Sequence, residues 1–181
     1  MLKFVAKDRS ITTLRESKIN DAKACLNFIN DLIKEGAPIL RDKKVTLAEE
    51  RAWLRNQIKT IKDGEVIMLI AEKNGEVIAT CEVKKRKYKM AHIANFGIAV
   101  RRKYRRMRIG ETISREVLKR AKKSKIEIIK LSVFKDNEPA KALYRKLGFA
   151  EEAILRNEIK VDKNYKDLIR MSLYLKKISS R

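Results

Sequence analysis

HIANFGIAVRRKYRRMRIG, residues 92–110, decides the fold. Its first half alternates from Ile93 to Val100, with Phe96, Ile98 and Val100 on one side. A period of two with few charges predicts a strand that is mostly buried. Its second half, Arg101 to Arg108, carries six basic residues in eight and reads as a loop. After Ile109-Gly110 the apolar residues Ile113, Val117, Leu118 and Ala121 fall on one helical face. A strand, a cationic loop and a helix start together make an anion site. Amides at a helix N-terminus have no partners of their own, and the macrodipole favours negative charge there. The expected ligand carries phosphate and sits at the end of a strand.

Outward from this stretch, elements follow in alternation. Downstream, Ile126 to Phe134 is a β-branched strand. Asn137-Glu138-Pro139 opens a helix, since proline suits a first turn, and Gly148 closes it. Ala142, Leu143 and Leu147 are its expected buried residues. Phe149 to Leu155 and Lys166 to Leu175 are strands, with a turn at Asp162-Lys163-Asn164. Upstream, Val66 to Glu72 and Glu76 to Lys85 form a hairpin about Asn74-Gly75, a strong turn signal. Thr46 with Glu49 has the capping-box pattern, and the helix it opens should bury Leu47, Trp53, Leu54, Ile58 and Ile61. An earlier helix, capped by Ser17 or Asn20, carries Ala22, Leu26, Ile29, Leu32 and Ile33. Lys3 to Arg15 holds one or two short strands. The order predicts an α/β fold: one mixed, mostly antiparallel sheet of about seven strands with four helices, in a single domain spanning 1–181.

Composition narrows the classes. The 181 residues suffice for one real core. No apolar run is long enough for a membrane span, and MLKFVAKDRS is too polar for a signal peptide, so a cytoplasmic protein is expected. Cys25 and Cys81 have no metal-type spacing, so they read as two reduced core thiols and no metal site is expected. Lys and Arg number 45 against 23 Asp and Glu, a net charge of +22 that attracts polyanions. The charge allows association with ribosomes or nucleic acid, or serves only to solvate the surface. A homodimer is compatible with all of this.

Three stretches carry a family resemblance: GIAVRRKYRRMRIG, LSVFKDNEPAKALYRKLGF and IKVDKNYKDLIRMSLYL. They resemble the GNAT-superfamily N-acetyltransferases, in the branch of ribosomal-protein and phosphinothricin-type enzymes. DRSITTLRES and TLAEERAWL extend the likeness to the N-terminal part. The resemblance implies acetyl-CoA as cofactor and a primary amine as acceptor. It implies a diphosphate loop at Arg105, Arg106, Met107, Arg108, Ile109 and Gly110, with Arg108 where the family carries glycine. It implies that the backbone of Ile98 and Val100 pairs with the pantetheine arm, that Asn137 lies at the pantetheine, and that Tyr144 lies near the sulfur. A tyrosine hydroxyl can give a proton to the departing thiolate. Asn95 stands where this branch often has a glutamate base; an amide cannot take a proton and can only orient water or the amine. His92 is the sole histidine, and it should face the opposite side from Asn95. Glu49, Glu50 and Glu82 are further candidate bases.

Without the usual base, an α-amino group is the easier acceptor. Its pKa lies near 8 and that of lysine near 10.4, so lysine costs about 3 kcal/mol more to deprotonate at pH 7. The expected acceptor is a protein or peptide α-amino group. Two alternatives remain open: a small-molecule amine or amino-acid acetyltransferase, and a non-catalytic acyl-CoA or RNA-binding module. A polyamine acceptor is disfavoured, because +22 repels cations.

Overall fold

Alternation, caps and turns place the elements close to where the sequence predicts them. The computed structural model describes residues 1–161 and 163–176; Asp162, the first residue of the expected turn, lies outside the described residues. The chain forms two compact units. One holds Met1–Lys84 and Gly97–Arg120, the other Lys85–Phe96 and the described residues from Ala121 onward.

The first unit opens with β1 (Leu2–Val5) antiparallel to β2 (Ile11–Arg15), and β2 lies antiparallel to β3 (Val66–Lys73). Between them run α1 (Ala22–Lys34) and α2 (Leu47–Lys62). The expected capping box forms: the Thr46 side chain accepts from the Glu49 amide, and the Glu49 carboxylate accepts from the Thr46 amide at 2.7 Å. β3 turns into β4 (Glu76–Lys85) through Asn74 (φ 51°) and Gly75 (φ 78°), the two left-handed residues that a tight hairpin needs. Cys25, Phe28 and Leu32 of α1 pack with Val66, Met68, Ile70 and Val77, and Ile61 and Ala99 close against this cluster.

Two helix faces of this unit differ from the expected ones. On α2 the buried residues are Glu50, Leu54 and Gln57, whereas Trp53 is 40 % exposed. The helical phase explains it: 50, 54, 57 and 61 follow the i, i+4, i+7, i+11 spacing of one stripe, and Trp53 falls off it. On α1, Cys25 and Phe28 are buried and Leu26 only half-buried.

The strand of the opening stretch is β5 (Ile93–Val100), which runs from the second unit into the first. Ala94 and Phe96 are buried, while Gly97 to Val100 are half-buried, less than expected. α3 (Ile109–Lys122) buries Ile109, Ile113, Val117, Leu118 and Ala121, the face read from the sequence.

In the second unit the start of β5 lies parallel to β6 (Ile128–Phe134); the ladder covers Ile93–Asn95 against Ile128–Lys130. α4 (Glu138–Lys146) follows, ended by Gly148 at φ 94°. Its buried residues are Lys141 and Tyr144, with Leu147 just past its end; Ala142 is exposed, against expectation. β7 (Ala150–Val161) and β8 (Asn164–Tyr174) form a long antiparallel hairpin, and β8 also pairs with β6. β7 runs six residues past the Leu155 end expected from sequence. The hydrogen-bonded order is β1-β2-β3-β4-β5-β6-β8-β7, eight strands where about seven were expected.

Candidate active site

The basic loop is sorted by its acidic neighbours. Arg101 is held by Asp31 at 2.9 Å, and Lys103 by Glu76 at 3.1 Å. Arg105 pairs with Glu35 and also donates through Nε to the Val100 carbonyl at 2.9 Å. Among the described residues, Arg102, Arg106 and Arg108 have no carboxylate partner and are exposed, so they are the loop's available cations.

The backbone of this loop answers the question raised by the missing glycine. Arg108 has φ 64° and Arg106 has φ 61°. Both therefore occupy the left-handed region, where a non-glycine residue costs about 1–2 kcal/mol. Arg108 thus adopts the glycine conformation without being glycine. Left-handed residues of this kind can direct neighbouring amides toward an anion, as in an anion-binding nest. Among the described residues, no backbone N–H from Arg106 to Gly110 donates to a protein acceptor; the α3 ladder begins with Thr112 N–H to Arg108 O at 3.0 Å. The Met107 carbonyl is tied to the Lys7 amide at 3.3 Å, and Ile109 is buried, so the loop is anchored at both points. Free amides, a helix dipole and two unpaired guanidiniums fit a diphosphate.

Glu82, on β4, is one of two candidate carboxylates whose pKa burial raises, Glu50 being the other, and it is the one held by a side-chain amide donor. Burial pushes its pKa above the ordinary value, outweighing the hydrogen bond from Gln57 and the charge of Lys84, which pull the other way. Gln57 on α2 donates through Nε2 to Glu82 Oε2 at 2.5 Å and sits 3.5 Å from Met68 Sδ. A Cβ built at Gly97 of β5 would lie 3.8 Å from Glu82 Cγ, an ordinary contact that places Gly97 beside the Glu82 side chain. The other candidates separate from it. Glu49 is spent in the capping box, whose Thr46 amide lowers its pKa. Glu50 is buried and its pKa is raised by that burial. Gln57 was missed in the sequence; its signal is the Glu50–Leu54–Gln57 stripe, which places an amide where an apolar residue would be expected.

In the second unit Asn95 is exposed, and its Oδ1 accepts from Arg86 Nε at 3.0 Å and Nη2 at 2.8 Å. The His92 carbonyl accepts from the Glu127 and Ile128 amides at 2.8 and 3.2 Å. Asn137 caps α4, its Oδ1 accepting from the Ala140 amide at 3.3 Å, which leaves its Nδ2 to donate elsewhere. Tyr144 is 8 % exposed, its ring meeting Phe96 edge-on at 6.0 Å and Phe149 at 6.0 Å. This aromatic trio fixes the tyrosine ring.

The GNAT acetyltransferase family matches residues 29–149, two thirds of the chain. The chain belongs to that family. A relative, the L-amino acid N-acetyltransferase AaaT of Escherichia coli K12, is 32 % identical over 105 residues, 54 % of this chain and 64 % of that protein. The match therefore spans less than two thirds of the relative's length. The ribosomal-protein-alanine N-acetyltransferase of Brucella melitensis superposes with a TM-score of 0.80 at 24 % identity, covering 90 % of this chain and 99 % of that one. A phosphinothricin acetyltransferase of Sinorhizobium meliloti, in complex with acetyl-CoA, superposes with a TM-score of 0.78 at 16 % identity, covering 90 % and 88 %. These likenesses establish the GNAT fold.

Proposed function

We propose that this GNAT chain transfers an acetyl group from acetyl-CoA to a primary amine, with a protein or peptide α-amino group as its best acceptor. The observation that carries the reading is the basic loop, with Arg106 and Arg108 left-handed and the amides up to Gly110 unpaired. It is a cradle for diphosphate in a family of acetyltransferases. Both compact units are proposed to act as one acetyltransferase domain, since the family match covers parts of each.

Acetyl-CoA supplies the acyl group on a thioester. Arg106 to Gly110 would hold its diphosphate, Ile98 and Val100 its pantetheine through their backbone, and Asn137 would donate to the same arm. Glu82 is the proposed base. It takes a proton from the ammonium, and the freed amine attacks the carbonyl. Backbone amides of β5 stabilise the oxyanion. The carbon–sulfur bond then breaks, Tyr144 gives its phenolic proton to the thiolate, and the second proton lost by the nitrogen restores the tyrosine through solvent. The raised pKa of Glu82 makes it a stronger base than an ordinary carboxylate. Asn95, held by Arg86, is proposed to orient water or the amine rather than take its proton.

A free amino acid is the second acceptor, favoured by the AaaT relative, named as an L-amino acid N-acetyltransferase. It presents the same α-amino chemistry. A cytoplasmic setting belongs to the proposal, because Cys25 and Cys81 are free, buried thiols. No helix among the described residues is long and apolar enough to cross a membrane.

The test is thiol release from acetyl-CoA with three acceptors: a lysine-blocked peptide with a free N-terminus, an N-blocked peptide with free lysine, and free amino acids. The first should turn over fastest. Acetyl-CoA at 100 times its Kd should also stabilise the fold by about 2.7 kcal/mol. No melting shift at millimolar acetyl-CoA would remove the cofactor assignment. A faster rate on lysine would remove the acceptor assignment.

A further inference from the structure

We propose that the second unit carries a binding face for single-stranded RNA, built from the turn at Lys85–Met90 and the turn at Lys122–Lys125. Two segments distant in sequence are brought together at His92. The Arg86 amide donates to the Ile93 carbonyl at 2.9 Å, and the Glu127 and Ile128 amides donate to the His92 carbonyl at 2.8 and 3.2 Å. Lys-Arg-Lys-Tyr-Lys-Met and Lys-Lys-Ser-Lys therefore flank one residue pair. Glu127 is a carboxylate beside the second turn, and Lys176 pairs with it at 3.6 Å. Among the described residues, Lys85, Lys89, Lys122, Lys123 and Lys125 have no acidic partner. Five like charges gathered without counter-ions repel one another and attract a polyanion.

Charge alone would suit any anionic surface; the aromatic residue selects among them. Tyr88 is 91 % exposed, and Met90 beside it is 49 % exposed. Tyr88 also has φ 58°, a conformation rare for a bulky side chain, and it sets the ring outward among the lysines. A ring presented to water among cations is what an unpaired base stacks on, while the lysines follow the phosphates. Duplex grooves offer no free base face, so the single strand fits better. This face is testable apart from the acetyl-transfer reading: Arg86 of the same turn holds Asn95, but Lys85, Tyr88, Lys89, Lys122, Lys123 and Lys125 have no assigned part in that chemistry.

The experiment is fluorescence anisotropy of a labelled 12-nucleotide uridine RNA with the full chain. Five phosphate contacts on a single strand give a slope of log affinity against log salt of about −3.5, so affinity should fall about 100-fold between 50 and 200 mM salt. Tyr88→Ala should weaken binding about 5- to 100-fold, the loss of one stacked base. It should leave the melting temperature unchanged, since the ring touches mostly water. K89A/K123A/K125A should cut the slope by about 2. R51A/R55A/K59A on α2 removes the same charge from another exposed face and should change affinity less than threefold. No anisotropy change at 50 mM salt, an unaffected Tyr88→Ala, or an equal loss in the α2 variant would overturn the proposal. So would capture by phosphatidylserine vesicles at salt concentrations where RNA does not bind.

Discussion

Replacing Arg108 separately by glycine and by alanine dissects its two roles, strain and charge. Its φ of 64° should cost the fold about 1–2 kcal/mol in any L-residue. Arg108→Ala keeps that cost and removes the guanidinium. Arg108→Gly removes both, but loosens the unfolded chain by about 0.4–1 kcal/mol. The difference leaves the glycine variant roughly 0.5–1 kcal/mol more stable than the alanine variant, about 1–4 °C in Tm for a chain of this size. Melting curves of both proteins without acetyl-CoA, in one buffer, read this directly. An alanine variant that melts as high as the glycine variant would show that the backbone at 108 is not left-handed. The charge appears in acetyl-CoA titration by calorimetry. Arg108 is exposed and has no acidic partner among the described residues, so its removal should weaken binding by about 1–2 kcal/mol, roughly 5- to 30-fold, and less at high salt. If Arg108→Gly bound acetyl-CoA more tightly than the parent, the guanidinium would contribute nothing to phosphate, and the cradle would rest on backbone amides alone.

Four further outcomes follow from the site. Burial raises the Glu82 pKa, so the native state keeps this proton to higher pH than the unfolded chain does. Glu82 therefore subtracts stability as pH rises from about 4.5 through the raised value, and Glu82→Gln should melt higher than the parent at pH 7 while losing about 10²–10⁴-fold in kcat/KM; equal activity would remove it as base. Gln57→Leu deletes the donor that holds the ionised form, and the acid limb of kcat/KM should move to higher pH; a uniform loss with no shift of the limb would make Gln57 merely structural. Tyr144→Phe should lower turnover about 10²–10⁴-fold with acetyl-CoA affinity unchanged in calorimetry, and unaltered turnover with chemistry limiting would leave Tyr144 a packing residue. Asn95→Glu should gain less than about threefold below pH 8, because Arg86 would pair with the new carboxylate and weaken it as a base; a large gain in the pH–rate profile would return the base role to position 95.

Local signals were legible without any structure. The alternation of Ile93–Val100, the Thr46–Glu49 box, the Asn74-Gly75 turn and the Asn137 cap with its closing Gly148 each act within a few residues. Each formed where the sequence placed it, because hydrogen bonds across one turn and side-chain periodicity need no distant partner. The family motif was legible for the same reason: it is contiguous. What tertiary structure alone decided involves residues far apart. Glu82 meets Gln57 across 25 positions, and Arg105 meets Glu35 across 70. β7 outran its expected end because Asn157, at φ 53°, bulges the strand and donates its amide to Asp167 at 3.1 Å on the partner strand. A side chain's proton affinity depends on how much water packing removes, so no spacing could rank Glu82 above Glu49. The left-handed backbone at Arg108 is likewise imposed from outside the residue. An arginine prefers the right-handed region, and anchoring at Met107 and Ile109 overrules that preference.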